Sequence, residues 1–316
     1  MKVAGLSFGA WRCASVSAAF SVLSFSLSAG AAAQARPQGP YFGQTPPGSR
    51  PEVFAPGVVS TAAHEFACSF TPDGREFYFT RSTSPGSPTL IMVSRMVNGT
   101  WTEPEPAAFN DRSAQMSFEP MVTADGRRLY FSSDRPLAPP SHAAQGGPPM
   151  LNIWYVEREG EGWSPPRNPG SPFNPMRTMY VTMTSAGTIY TMDISAGMGS
   201  EVIGVARPVG GEYQAIERLG APVNVGTGNM YPYISPDERY LVFTRRQGGP
   251  GSATYLHVSF KGRDGRWGEP RAIDLGMPAG AATVSPDGRY LFFSGGERGR
   301  GDIFWVSTSV LNEGPR

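Results

Sequence analysis

The sequence predicts an all-β fold, a β-propeller of four-stranded blades, from three observations. A turn-and-strand phrase recurs with a period near fifty residues. A tryptophan-bearing phrase follows it at a fixed place, and the strands left over at the two chain ends complement each other. A strand-and-turn period of that length is the signature of a closed repeat array.

The repeated phrase is clearest at Ser285-Pro286-Asp287-Gly288-Arg289-Tyr290-Leu291-Phe292-Phe293 and at Ser235-Pro236-Asp237-Glu238-Arg239-Tyr240-Leu241-Val242-Phe243. Earlier copies begin at Thr71 and Thr123, and a worn one at Thr184; the steps between copies are 52, 61, 51 and 50 residues. Pro sets the first central φ of a type I turn, Asp tolerates the second, and Gly takes the left-handed conformation that returns the chain. The result is a three-residue hairpin loop followed by an aromatic run of strand length. Each copy therefore reads as strand, turn, strand. A third run follows a variable loop, at residues 90–93, 152–156, 201–205, 255–260 and 302–306.

Trp101, Trp163 and Trp267 then occupy one place in three repeats, with Tyr213 in the worn one, and a short fourth strand leads onward. Recurrence at one position argues for packing between blades rather than for sugar stacking. Four strands about a common axis is the blade pattern. The last repeat ends after three strands, while residues 52–59 lie where a fourth strand precedes the first copy. That segment is expected to complete the last blade and hide the open edges. This gives five blades. Six would need a hidden repeat, and only the 61-residue step has spare length for one.

Residues 1–35 read as a secretory signal peptide. Lys2 and Arg12 lead into an apolar, Ser- and Ala-rich run over residues 14–29, with small-residue cleavage sites ending at Ala33 and Ala35. Residues 36–50, rich in Pro, Gly and Gln, read as a disordered tether, and residues 51–316 as a single propeller domain. Loss of the leader removes Lys2 and Arg12 from a chain of 27 basic and 26 acidic residues, and the near-balance leaves no footprint for nucleic acid. No later segment has the length and apolarity of a membrane span. Cys68 alone survives processing, so no internal disulfide forms; between Phe66 and Phe70 it reads as buried and inert.

The Pro-Asp-Gly turn, the aromatic strands ending at Phe79, Phe131, Phe243 and Phe293, and the later Asp302-Ile303-Phe304 resemble the WD40-like, or PD40, β-propeller repeats found in the propeller of the periplasmic protein TolB. The resemblance covers residues 52–310. It implies a periplasmic or secreted bacterial protein that binds other proteins or ligands. The chain departs from two settings of such repeats: it has no additional TolB-type N-terminal domain, and no Gly-x-Ser-x-Gly nucleophile elbow of a peptidase partner domain.

His64, His142 and His257 are scattered over different repeats without ligand spacing, so no metal or cofactor is expected. Glycoside hydrolysis needs two carboxyls facing each other across roughly 5–10 Å. Glu65 and Glu119 are the inner-strand candidates, with Tyr180, Tyr231 and Ala281 at the corresponding places of later repeats. The loops before the inner strands and between second and third strands share one face. That face is expected to carry His64, Glu65, Arg81, Glu119, Asp134, Arg135, Tyr231, Arg245, Arg246, Glu297 and Arg298, beside the proline-rich loop 132–150. Arg and Tyr are interface-enriched types. The sequence thus reads as an exported, non-catalytic binding module for another cell-envelope protein, or for a carbohydrate or peptide. The alternative is a glycoside-acting hydrolase using Glu65 and Glu119.

Overall fold

A computed structural model describes residues 36–84, 87–111, 114–137, 151–174, 177–297 and 300–312. The expected leader therefore lies outside the described residues. Residues 36–316 form one compact unit, a ring of five antiparallel blades. Blade 1 comprises His64–Phe70, Glu76–Ser82, Thr89–Val97 and Glu105–Pro106; blade 2 comprises Ser117–Val122, Arg128–Ser133 and Asn152–Glu159, with a fourth-strand bridge from Arg167 to Tyr155. Blade 3 is Thr178–Met183, Ile189–Asp193, Val202–Ala206 and Glu217–Arg218, and blade 4 is Asn229–Ile234, Tyr240–Arg246, Thr254–Phe260 and Arg271–Ala272. Blade 5 takes Ala279–Val284, Tyr290–Glu297 and Arg300–Ser307 from the end of the chain and Glu52–Val53 from its start. Glu52 pairs with Trp305 and Val53 with Phe304, the ring closure that the leftover strands predict.

The turns fold as their composition dictates. In blade 1 Gly74 has φ 68°, its N–H donates to Thr71 O, and the Thr71 hydroxyl donates to Asp73 Oδ1 at 2.6 Å. The N–H groups of Arg75 and Glu76 return to Asp73 Oδ1 and Thr71 Oγ1. The same bonds recur around Thr123 and Ser285. Glu238 takes the left-handed place in blade 4 at φ 59°.

The tryptophan series packs blade on blade. Trp163 of blade 2 lies edge-on to Tyr78 of blade 1 and donates Nε1–H to its hydroxyl at 2.7 Å; Arg158 covers the indole at 3.9 Å. Trp267 of blade 4 meets Tyr190 of blade 3 in the same way, under Lys261.

Residues 36–50 depart from the expected tether. Trp101 N–H donates to Pro37 O, Gly39 N–H to Gly99 O, and Trp101 Nε1–H to Gly39 O at 2.8 Å. The turn Pro40–Gly43 then enters the seam between blades 5 and 1. Phe42 is buried and stacks on Trp101 at 4.2 Å, while Tyr41 touches Phe70, Tyr290, Phe292 and Trp305. Pro- and Gly-rich composition argued for disorder, but two adjacent aromatic rings supply the apolar burial that such a segment otherwise lacks.

Candidate functional site

All five inner strands bulge at one place. Ala67, Glu119, Tyr180, Tyr231 and Ala281 have φ of 43°, 60°, 57°, 49° and 49°, and pairing with the second strand shifts there in each blade. The bulge turns a backbone N–H toward the preceding blade. Glu119 N–H donates to Thr80 Oγ1, Tyr180 N–H to Ser132 Oγ, Ala281 N–H to Thr244 Oγ1 and Ala67 N–H to Ser294 Oγ, at 3.0–3.4 Å. Blade 3 has Met192 where the others carry this hydroxyl.

The axis at this level is filled. Tyr180 reaches across from blade 3 and donates its hydroxyl to Ala282 O of blade 5 at 3.0 Å, with the Tyr231 ring edge-on at 5.2 Å. Glu119 is buried beside them and accepts from the Ser132 hydroxyl at 2.9 Å. Burial pushes its carboxyl up to about 8, against the stabilising bonds from Ser132 and the Tyr180 backbone. The carboxyl is therefore mostly protonated at neutral pH.

Glu65 is not the counterpart of Glu119. Its place, two residues before the bulge, is held by Ser117, Thr178, Asn229 and Ala279 in the other blades. Fully buried, it accepts from Thr61 and from Arg81 Nε at 2.7 Å, while Arg81 Nη2 donates to Val58 O and Val59 O. Arg245 repeats the brace in blade 4, with Nε on Asn229 and Nη2 on Pro222 O and Val223 O. Each arginine thereby ties the incoming loop to its blade.

Other described residues of that face are also engaged. Arg246 pairs with buried Glu201 at 3.1 Å. Asp134 Oδ1 accepts from Met116 N–H at 2.9 Å. Arg135 is buried, donates to Phe109 O and lies against Phe131 and Trp154; burial lowers its pKa. Gly301 N–H donates to His64 Nδ1 at 2.9 Å. Glu297 ends the second strand of blade 5, whereas Arg298, His142 and most of loop 132–150 lie outside the described residues. The structure thus brings Glu119 and Tyr231 together at the axis and sets Glu65, Arg81, Asp134, Arg135, Arg245 and Arg246 apart from them in bonds to neighbouring loops and strands. Among the described residues no group of three His, Cys, Asp or Glu side chains is arranged to hold a metal. Cys68 is buried and its thiol pKa raised by desolvation.

Three cavities open instead on the face of the repeated turns. A funnel of about 230 Å³ lies at the axis, walled by Met121, Met183, Tyr233 and Tyr240 and rimmed by Pro72, Pro236 and Pro286. The phrase that reads as pure turn chemistry therefore also supplies a cavity wall. The signal available in the sequence was the residue pair before each turn, such as Met121-Val122 and Tyr233-Ile234, whose alternation sends one side chain inward. A cleft of about 970 Å³ lies between blades 2 and 3, and one of about 560 Å³ between blades 5 and 1.

No protein-family model matches the chain, and no curated protein sequence does. Solved structures are similar to it in fold. Putative TolB from Agrobacterium tumefaciens is 17% identical over 75% of this chain and 72% of its own, with a TM-score of 0.47. TolB from Acinetobacter baumannii is 15% identical over 78% of this chain and 55% of its own, also at 0.47, so the chain spans about half of that protein. A thermostable family-43 glycoside hydrolase is 13% identical over 79% of this chain and 90% of its own, at 0.51. At such identities the likeness is one of scaffold, and function rests on the residues of the site.

Proposed function

We propose that this propeller is an exported binding module of the cell envelope that engages a protein partner and performs no catalysis of its own. The observation that carries this reading is the commitment of Glu65. It is buried in a 2.7 Å ion pair with Arg81, and Arg81 in turn holds the loop carbonyls of Val58 and Val59. A carboxylate so occupied braces the ring, and Glu119 stands at a different register position beneath Tyr180 and Tyr231. The funnel supports the partner class. Its aromatic, methionine and proline walls suit an apolar side chain presented by another protein. The leader-like residues 1–35 and the PD40 resemblance support export.

One observation favours the hydrolase reading: Glu119 keeps a proton near neutral pH, as a general acid does. The two readings separate in one experiment. A photo-crosslinking residue at Tyr233 in the native envelope is expected to capture one partner protein, while the same residue at exposed Val209 is not. In parallel, chromogenic glycosides are expected to stay intact. Glycoside turnover that Glu119→Gln abolishes would overturn the binding reading.

A further inference from the structure

In blades 1 to 4 the loop before the inner strand is tied down at one backbone carbonyl. Asn110, Asn174 and Asn224 bond both the N–H and the C=O of Ile91, Ile153 and Ile203 in the preceding blade, and the Ser60 hydroxyl does the same for Ile303. The residue before each of them, Val59, Phe109, Phe173 or Val223, therefore holds an equivalent place. Its carbonyl accepts from Arg81 Nη2 in blade 1, Arg135 Nη2 in blade 2, the Thr178 hydroxyl in blade 3 and Arg245 Nη2 in blade 4. The three guanidinium groups also lie over equivalent rings, Phe79, Phe131 and Phe243, at 5.1–5.2 Å.

The three differ in what Nε meets. Arg81 Nε donates to Glu65 at 2.7 Å, and Arg245 Nε to Asn229 Oδ1 at 3.0 Å. In blade 2 the acceptor's place is held by Ser117, which is too short to reach and has its hydroxyl against Ser133 at 3.2 Å. Ser133 stands where Arg81 and Arg245 stand in their strands, and Arg135 arrives from two residues farther on. Arg135 is nonetheless 6% exposed, and its Nε forms no hydrogen bond. Nor does Nε1 of buried Trp154, whose ring the same guanidinium covers at 5.2 Å.

A buried charge is costly unless it is paired. Contact with a ring does not replace the acceptor, because Arg81 and Arg245 have that contact and an acceptor besides. Asp111 and Asp134 act on Arg135 from beyond ion-pair distance, and Asp134 gives Oδ1 to Met116 N–H. Two neighbouring buried donors thus lack what blade 1 supplies with Glu65.

We infer that Arg135 and Trp154 form an anion site on the loop face, which takes a carboxylate from outside the chain. Arg135 Nε–H and Trp154 Nε1–H donate to that carboxylate, as Arg81 Nε–H donates to Glu65. Its source is a free small acid or an acidic side chain of a partner. The site lies on the face opposite the funnel and needs nothing from it.

The test is a titration of the whole, ¹⁵N-labelled chain with sodium acetate, against sodium chloride at equal ionic strength. The readouts are the Arg135 Nε–H and Trp154 Nε1–H resonances, assigned by their loss in Arg135→Lys and Trp154→Phe. Both are expected to shift saturably, with a dissociation constant on the order of 1 mM. Arg135→Lys is expected to weaken the response at Trp154 about tenfold or more, since it removes the planar fork. Ser117→Glu, which supplies the carboxylate within the chain, is expected to abolish the response and to raise the unfolding midpoint without acetate. A response to acetate alone assigns a free acid as the source. A tighter response to N-acetylglutamic acid α-amide, charged only on its side chain, assigns an acidic side chain of a partner; either supports the site. Three results would overturn the inference: no shift at either resonance, an equal shift with chloride alone, or an acetate response that Arg135→Lys leaves unchanged. Where Ser117→Glu fails to fold, the wild-type and Arg135→Lys titrations decide by themselves.

Discussion

The seam between blades 5 and 1 and the cleft between blades 2 and 3 share one frame and differ in what fills it. At the seam, Phe42 stacks on Trp101 and Tyr41 enters an aromatic cluster with Phe54, Phe77, Phe292 and Trp305. At the cleft, Tyr213 and a shortened turn leave open space. The seam joins the two ends of the chain: the Glu52–Val53 strand that leads into blade 1 is held to the other three strands of blade 5 by pairing and packing alone, so non-covalent contacts must do there what connectivity does elsewhere. Blades 2 and 3 are joined through the chain itself and can leave their contact incomplete.

The largest way to break this contrast is at the seam. Phe42→Ala removes a buried ring from the closing cluster and is expected to cost about 3–5 kcal/mol in urea unfolding. The same truncation at Tyr213 is expected to cost less, because that ring borders an open cleft. A cost at Phe42 no greater than at Tyr213 would contradict the closure role. Next comes the brace behind the seam. Arg81→Ala strands Glu65 as a buried, unpaired charge and is expected to lose about 3 kcal/mol or more. Glu65→Gln/Arg81→Met together should recover part of that loss.

Glu119 tests whether the difference between junctions reaches the axis, since blade 2 borders the open cleft. Its carboxyl lies near 8 in the fold against an ordinary 4.5, so folding takes up a proton between those values. Its contribution to stability is therefore complete below about pH 4.5 and is lost as pH rises through 8, by an amount on the order of a few kcal/mol. Glu119→Gln is expected to flatten that fall in unfolding curves measured from pH 5 to 9, and Tyr213→Trp to leave it unchanged. The smallest effect is that of Tyr213→Trp on stability itself. Filling the cleft with the indole used by the neighbouring junctions is expected to add about 1 kcal/mol.

Much of the fold was legible because repetition makes local chemistry redundant. The Pro-Asp-Gly turns, the aromatic second strands and the unpaired Glu52–Val53 strand each imply their own neighbour. The axial hydroxyls were also written in the sequence, as the Thr or Ser following Phe79, Phe131, Phe243 and Phe293. Their role stayed hidden because a bulge shifts register by one residue. Glu65 and Glu119 are separated by a count back from the turn, six residues before Thr71 against four before Thr123, which puts Ala67 and not Glu65 opposite Glu119. The candidate face was read from charge, yet most of those charges brace loops. The described cavities lie on the opposite face: the axial funnel is lined by uncharged side chains, and the two clefts by charges such as Asp125, Arg127 and Asp287 that belong to the repeated turns.

By itself, then, the sequence determined the blade, its number of copies and the strand that closes the ring, since these follow from backbone turns and alternation within some fifty residues. Tertiary structure alone decided which copies of one position are filled and which stay open. Tyr41 and Phe42 reach their pocket from the far end of the chain, and Tyr180 crosses the axis to a carbonyl about a hundred residues away. Such contacts depend on where the closed ring places two surfaces, and no local spacing encodes that.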